Sequence, residues 1–120
     1  MARDYRKLRV FMLADTLVLD VYRATRAFPP AERFALQSQL RRAALSSAAN
    51  IVEGSARRTT REYCSFLNVA NASATEAYYL LTVAHRLDYV CDSAIRPLLE
   101  RYSELQRGLQ SMMNALEHLG

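Results

Sequence analysis

The stretch that decides the fold runs from residue 28 to residue 54 and reads FPPAERFALQSQLRRAALSSAANIVEG. A residue before proline is pushed out of the helical region, so Phe28 should end one helix, and Pro30 can open the next because a first-turn residue needs no amide hydrogen. Apolar side chains then recur every three or four positions, starting with Phe34, which predicts a helix over 31–54 that packs through this stripe. Gly54 is expected to end that helix in the left-handed conformation. Small residues fill the middle of this helix, and they should let another helix approach its backbone closely.

The rest of the chain shows the same periodicity on both sides of this helix. Apolar residues at helical spacing predict further helices over 5–27, 60–88 and 94–118. Thr59 and Glu62 have the spacing of a capping box, which marks the start of the third helix. Four helices joined by short connections predict an all-α fold, an antiparallel up-down-up-down four-helix bundle, with all 120 residues in a single domain.

Composition limits the classes of protein to which the chain can belong. The 120 residues are 51% apolar and include only 3 Gly and 3 Pro, which excludes collagen-like and disordered chains. No apolar run approaches the roughly 18–20 residues that cross a bilayer, and the basic start lacks the apolar block of a secretory signal. We therefore expect a cytoplasmic protein that does not bind membranes. Cys64 and Cys91 are expected to be free thiols, as is usual in that compartment.

The sequence lacks the common catalytic and metal-binding motifs. His85 and His118, the only histidines, have no second histidine or cysteine at ligand spacing. The sequence has no glycine-rich phosphate loop, no nucleophile elbow and no Glu-x-x-His motif of the di-iron bundles. We therefore expect a protein that is not an enzyme and that needs no cofactor or metal.

Several helices carry large apolar residues outside their main stripe. Tyr78 and Tyr79 are adjacent, and so are Met112 and Met113. Neighbouring residues point about 100° apart on a helix, so both members of such a pair cannot face one narrow core. Leu19 likewise lies off the main stripe of the first helix. Aromatic and methionine side chains are enriched at interfaces, so the pattern predicts a second buried surface between copies of the chain.

Basic residues concentrate around the second helix. Between residues 33 and 61 there are six arginines and a single acid, Glu53, whereas the whole chain has a net charge of only +4. A polar ridge also follows this helix at steps of three and four residues, and its members are Gln39, Arg42, Ser46, Asn50, Glu53 and Arg57. Such a ridge is a solvated face, a hydrogen-bond network between helices or subunits, or a surface that contacts phosphates and bases.

Three motifs within these residues carry a resemblance to a known family. They are YRKLRVF from Tyr5, FPxxERFxLxSQLRRAA from Phe28 and NIxEGxxR from Asn50. These motifs resemble the four-helix bundle proteins encoded within 23S ribosomal-RNA intervening sequences, and the likeness covers about the first 90 residues. A more distant resemblance links the chain to the accessory variability proteins of diversity-generating retroelements.

The family resemblance implies a homopentamer with a basic surface, a role in binding RNA or DNA, and no catalytic activity. Carried over position by position, the family signature falls on Glu32, Arg33, Gln39, Arg41, Arg42, Asn50, Glu53, Gly54 and Arg57. We assign five of these positions to a polar interface network, namely Glu32, Arg33, Gln39, Asn50 and Glu53. The chain departs from the family at Asp88, where a glycine is common.

Two functions from different classes fit this sequence. In the first, the oligomer binds RNA or DNA, and its phosphate contacts are Arg41, Arg42, Arg57, Arg58 and Arg61. In the second, the oligomer is a scaffold that docks a protein such as a polymerase or nuclease, and Arg42 or Arg57 pairs with Glu53 of a neighbouring subunit. The partners of these arginines in the folded chain therefore bear directly on the choice.

Overall fold

Four α-helices make up most of the chain in this computed structural model, which describes residues 3–119. Helix α1 spans Arg9–Thr25, α2 Leu36–Ser55, α3 Thr60–Arg86 and α4 Asp92–Leu119. Single 3₁₀ turns precede the first two helices, at Tyr5–Lys7 and Pro30–Glu32. Within residues 3–119 there is no β-strand, so the predicted all-α class with four helices is confirmed. None of the helices in this range is long and apolar enough to cross a bilayer.

The helices surround one apolar core. In the described part of the chain, the backbones of α1 and α3 each approach those of both α2 and α4, whereas α1 does not approach α3 in this way and α2 does not approach α4. The helices therefore lie at the four corners of a rod of 46 × 23 × 19 Å. Each helix contributes at least one leucine that is completely buried, namely Leu17, Leu40, Leu67 and Leu105. Burying one such side chain stabilises a fold by about 1.5–3 kcal/mol.

Helices α1 and α2 begin later than the sequence predicted. Helix α1 starts at Arg9 and not at residue 5, because Leu8 is extended (φ −78°, ψ 129°) and separates it from the preceding 3₁₀ turn. Helix α2 starts at Leu36 and not at residue 31, because the backbone of Ala35 is not helical (φ −121°, ψ −106°). The Glu32 carboxylate accepts a hydrogen bond from the Leu36 amide at 3.4 Å, which satisfies one exposed amide of the new helix start.

Gly54 is helical, so the prediction that it ends α2 in the left-handed conformation is wrong. Helix α2 continues through it to Ser55, and neither Gly54 nor Gly108 has a positive φ. A Cβ at Gly54 would lie 2.9 Å from Phe66 Cβ and 3.1 Å from Tyr63 Cδ1, both on α3. The glycine is therefore needed for the close approach of two helices, as the small residues of α2 predicted.

Local hydrogen bonds close both ends of α3. At its start, the Thr59 hydroxyl accepts a hydrogen bond from the Glu62 amide at 3.1 Å, which confirms one half of the predicted capping box. In place of the other half, the Glu62 carboxylate accepts a hydrogen bond from the Thr59 hydroxyl at 3.0 Å and not from the Thr59 amide. At its end, the Tyr89 amide donates to the Ala84 carbonyl at 2.9 Å, the long bond of a Schellman motif. This motif places Asp88 at φ 64°, a left-handed conformation that glycine adopts with the least strain.

Replacing Asp88 with glycine should raise the free energy of unfolding by about 0.5–1 kcal/mol, because glycine removes the steric cost of the left-handed backbone. Urea unfolding of both proteins at one protomer concentration measures the difference. Asp88→Ala is the control, since it removes the same charge but keeps a Cβ, and it should give no gain. An equal gain in both variants would show that the carboxylate, and not the backbone, causes the effect.

Candidate nucleic-acid interface

The first half of α2 forms one wall of an open groove of ≈ 630 Å³, which we call the α1–α2 groove. The end of α1 and the segment that leads into α2 supply the rest. Its basic lining residues are Arg26, Arg33, Arg41 and Arg42. Its other lining residues are Tyr22, Phe34, Gln37, Ser38 and Leu45, and no acidic residue of the described chain lines it. The groove is therefore a cationic and partly aromatic concavity, which suits an anionic ligand.

Arg41 binds the end of α1. Its Nε donates to Thr25 Oγ1 at 2.8 Å, its Nη2 donates to the Tyr22 carbonyl at 3.3 Å, and its guanidinium lies 4.4 Å from the centre of the Tyr22 ring. Gln37 Nε2 also donates to the Thr25 carbonyl at 2.9 Å. A cation suits this position because the last carbonyls of a helix lack partners and carry partial negative charge. Arg41 therefore fastens α1 to α2.

Arg41→Met should lower the free energy of unfolding by about 1.5–3 kcal/mol, because it leaves carbonyl and hydroxyl oxygens at the end of α1 without a charged donor. Arg42→Met is the matched control: Arg42 is exposed and has no ion pair within residues 3–119. Its substitution should change stability by less than about 0.5 kcal/mol. Equal urea midpoints for the two variants would contradict the role assigned to Arg41.

A second group of basic side chains lies at the other end of α2 and around the loop to α3: Arg3, Arg57, Arg58 and Arg61. Arg3 Nη1 donates to the Arg57 carbonyl at 2.7 Å. The Arg3 guanidinium lies 4.3 Å from the centre of the Tyr63 ring, and the Arg57 guanidinium lies 4.6 Å from that of Phe66. Each such contact stabilises an exposed cation by about 0.5–1 kcal/mol. Arg42 lies about 20 Å from this group, given a rise of about 1.5 Å per helical residue.

Within residues 3–119, the exposed arginines of the two groups have no acidic partner. Ion pairs within residues 3–119 involve only the turn before α1 and helices α1, α3 and α4. The predicted phosphate contacts that are exposed and unpaired are Arg42, Arg57, Arg58 and Arg61. Glu53, the sole acid of α2, is also exposed and forms no ion pair in this range. The guanidinium charges are therefore accessible to an external anion.

The polar ridge of α2 has a bonded centre and exposed ends. Ser46 Oγ lies 2.8 Å from Ser73 Oγ on α3, and Asn50 Nδ2 donates to the carbonyl of Ser46 at 2.8 Å and to its hydroxyl at 3.1 Å. The centre is therefore a hydrogen-bond network between helices of one chain, which was one of the alternatives that the sequence left open. The exposed members of the ridge are Gln39, Arg42, Glu53 and Arg57.

Glu32 also binds within the chain. Its carboxylate accepts a hydrogen bond from the Tyr89 hydroxyl at 2.9 Å, next to the contact between the Phe28 and Tyr89 rings. This hydrogen bond raises the pKa of the Tyr89 phenol. It also ties the turn before α2 to the loop between α3 and α4. Of the residues assigned to a polar interface network, Glu32 and Asn50 are thus bonded internally, whereas three are exposed: Arg33, Gln39 and Glu53.

Sequence reasoning gave Arg26 no role at the α1–α2 groove, assigned Arg33 to the polar interface network, and placed Phe34 on the packing face of the second helix. The last prediction is wrong, because Phe34 precedes the start of α2 and is 89% exposed. Arg26 precedes the Pro29–Pro30 turn, and Arg33 and Phe34 follow it. The turn reverses the chain, so residues on its two sides come to face the first half of α2. Their positions on the two sides of the turn could have indicated that they belong to the groove.

Large apolar side chains remain exposed on α1, α2 and α3, as does Leu119 at the end of α4. On α1, Met12 and Leu19 are 52% and 51% exposed, and on α3, Val69 and Tyr79 are 46% and 60% exposed. Leu45 of α2 is also exposed. Single exposed apolar residues are common, whereas a contiguous patch of them marks a surface that another molecule covers.

These features define the chain as a four-helix protein with exposed arginines near both ends of α2 that form no ion pair within residues 3–119. The chain belongs to the 23S rRNA-intervening sequence protein family, because the family model matches residues 6–111. The resemblance to that family is confirmed, while the more distant one to accessory variability proteins stays a prediction.

Solved structures support the same fold. A protein with unknown function from the S23 ribosomal protein family of Bacteroides thetaiotaomicron VPI-5482 is similar to this chain with a TM-score of 0.80 and 20% identity. The likeness covers 88% of this chain and 95% of the other. Identity at this level shows the fold alone. No curated protein matches the chain.

Proposed function

We propose that this protein is a non-enzymatic, oligomeric nucleic-acid-binding module whose arginines at both ends of α2 contact phosphates. The observation that supports it is the exposure of Arg42, Arg57, Arg58 and Arg61 without an acidic partner in residues 3–119. Guanidinium groups match the geometry of phosphate oxygens, and a polyanion neutralises several of them at once. Arg41 contributes indirectly, since it holds α1 against α2.

The assembly in this proposal is a homopentamer of antiparallel up-down-up-down bundles. Helices that follow one another along the chain are in contact, and short connections at 56–59 and 87–91 join the last three, which supports the topology. The exposed side chains of Leu19, Leu45 and Tyr79 support association, because a subunit contact would bury them. The number five comes from the family resemblance alone.

RNA is the ligand to test first, with duplex DNA beside it. The family is named for an intervening sequence of 23S rRNA. Each copy carries a net charge of +4, so association would add the positive fields of several copies on one particle. A cytoplasmic location, where RNA is abundant, fits this proposal.

Affinity for RNA and duplex DNA should fall steeply as salt rises. If the protein contacts about four phosphates, its affinity should fall about 100-fold as salt rises from roughly 50 to 200 mM. Binding releases counterions from the nucleic acid, and this release is less favourable at high salt. Fluorescence anisotropy with labelled RNA and duplex DNA measures the affinities, and light scattering of the same samples gives the number of subunits. Absent binding at low salt, or affinity that does not change with salt, would overturn the proposal.

The exposure of Glu53 favours a second function, a scaffold that docks a protein. Glu53 has no ion pair within the described residues, so Glu53 of one copy is free to pair with Arg42 or Arg57 of its neighbour. Arginines held in this way would not reach phosphates. A pull-down with and without nuclease treatment separates the two functions, because a protein partner of the scaffold survives the removal of nucleic acid.

A further inference from the structure

Phe34 is a large apolar side chain that the fold leaves in solvent. It is 89% exposed, whereas Phe28, from the same short segment, is only 7% exposed and belongs to the core. Fully burying such a ring would stabilise the fold by about 1.5–3 kcal/mol, so the chain forgoes that gain at Phe34. The backbone around it is held in place, because the neighbouring Glu32 binds both the Leu36 amide and the Tyr89 hydroxyl. Phe34 is thus presented outward on an anchored segment.

The surroundings of Phe34 are cationic. The ring lines the α1–α2 groove together with Arg26, Arg33 and Arg42, all exposed, and with the hydroxyl of Ser38. A protein segment that covered the ring would also cover several guanidinium groups, and it would have to supply an acid for each of them. A nucleic-acid strand brings a phosphate for each nucleotide and a flat base for the ring. Charge complementarity therefore favours a nucleic acid as the occupant.

The groove also distinguishes between forms of nucleic acid. In a duplex, the faces of the bases are stacked on one another and are not accessible to a ring that lies in a groove. In a single strand, a base can turn outward and stack on an aromatic side chain while its phosphates meet arginines, which is a common arrangement for single-strand binding. Phosphate contacts alone would bind both forms.

We propose that the α1–α2 groove binds single-stranded nucleic acid, with one base stacked on the Phe34 ring and the adjacent phosphates held by Arg26, Arg33 and Arg42. This inference rests on the proposed function and adds to it a preference for single strands over duplexes. The second group of arginines, about 20 Å away along α2, then contributes phosphate contacts that do not depend on strandedness.

The test compares a labelled single-stranded RNA with the duplex of the same sequence, by anisotropy, for the wild type and three variants. Phe34→Ala should weaken single-strand binding roughly 5- to 150-fold, as loss of one stacked base does, and should change duplex binding less than about 2-fold. Phe34→Tyr keeps an aromatic face and should retain affinity. Phe34→Leu keeps apolar bulk without the aromatic face and should behave like the alanine variant.

The outcomes separate this inference from the proposed function. If Phe34→Ala loses affinity equally for the single strand and the duplex, or loses none for either, the stacking role of Phe34 is overturned while arginine-mediated binding stays in place. A fall in subunit number for Phe34→Ala and Phe34→Leu, seen by light scattering, would overturn it in favour of a subunit contact. If the wild type binds neither nucleic acid, both proposals fail together.

Discussion

Replacing Gly54 with valine is expected to lower the free energy of unfolding by about 3 kcal/mol, through overpacking between α2 and α3. A Cβ alone would lie 2.9 Å from Phe66 Cβ and 3.4 Å from the Tyr63 carbonyl oxygen, and valine adds two methyl groups beyond it. The Phe66 Cβ is fixed to the backbone, so no side-chain rotation relieves the contact, and the two helices must move apart. Gly54→Ala should still cost about 1 kcal/mol, although alanine favours the helix by about 1 kcal/mol.

The chain offers a matched control in its other helical glycine, Gly108 of α4. Within residues 3–119, a Cβ there would meet only Val10 Cγ1 at 2.9 Å, a methyl group that can shift by a few tenths of an ångström without moving the backbone. Gly108→Ala should therefore keep or gain stability, by up to about 1 kcal/mol. Urea unfolding at one protomer concentration measures both, because association would otherwise shift the midpoints. A gain in stability for both alanine variants would show that α2 and α3 have room to spare at Gly54.

The helices were predictable because their burial depends on local periodicity. Leu17 and Leu105 belong to stripes that the sequence displays directly, and both are completely buried. The start of α2 was not predictable in the same way. It depends on Glu32, whose carboxylate is bound by the Tyr89 hydroxyl from the distant loop between α3 and α4. A helix boundary that depends on a partner from another part of the fold cannot be predicted from the sequence next to it.

The candidate site was also predictable in part, where its features are local in the sequence, and not where they depend on distant partners. The sequence located the basic residues around α2, and Arg42 and Arg58 are exposed. It did not separate Arg41 from Arg42, because the difference lies in the oxygens of Thr25 and Tyr22 at the end of another helix. One trace was present: Gln37 lies four residues before Arg41, on the same helix face, and both bind the end of α1.

Changing Arg42, Arg58 and Arg61 together to glutamate should weaken RNA binding at least about 100-fold, since each loses a charge-assisted hydrogen bond and adds repulsion. All three are exposed and form no ion pair within residues 3–119, so the fold should keep its stability. The slope of log affinity against log salt should also become shallower by about 2 to 3, because three phosphate contacts per chain are lost. Anisotropy over a salt series measures both quantities.

A second triple variant makes the same change in net charge at a different place on the surface. Arg86 at the end of α3 and Arg96 and Arg107 on α4 are exposed arginines that do not line the α1–α2 groove, and the backbone of α4 does not approach that of α2 in the described part of the chain. Their conversion to glutamate lowers the net charge by the same amount. If binding depends on the arginines at the two ends of α2, this variant should retain most of its affinity and its salt slope, since charges outside the contact are screened within about 10 Å at moderate salt. Equal losses in the two triple variants would mean that the total charge of the particle, and not the placement of those arginines, attracts the nucleic acid.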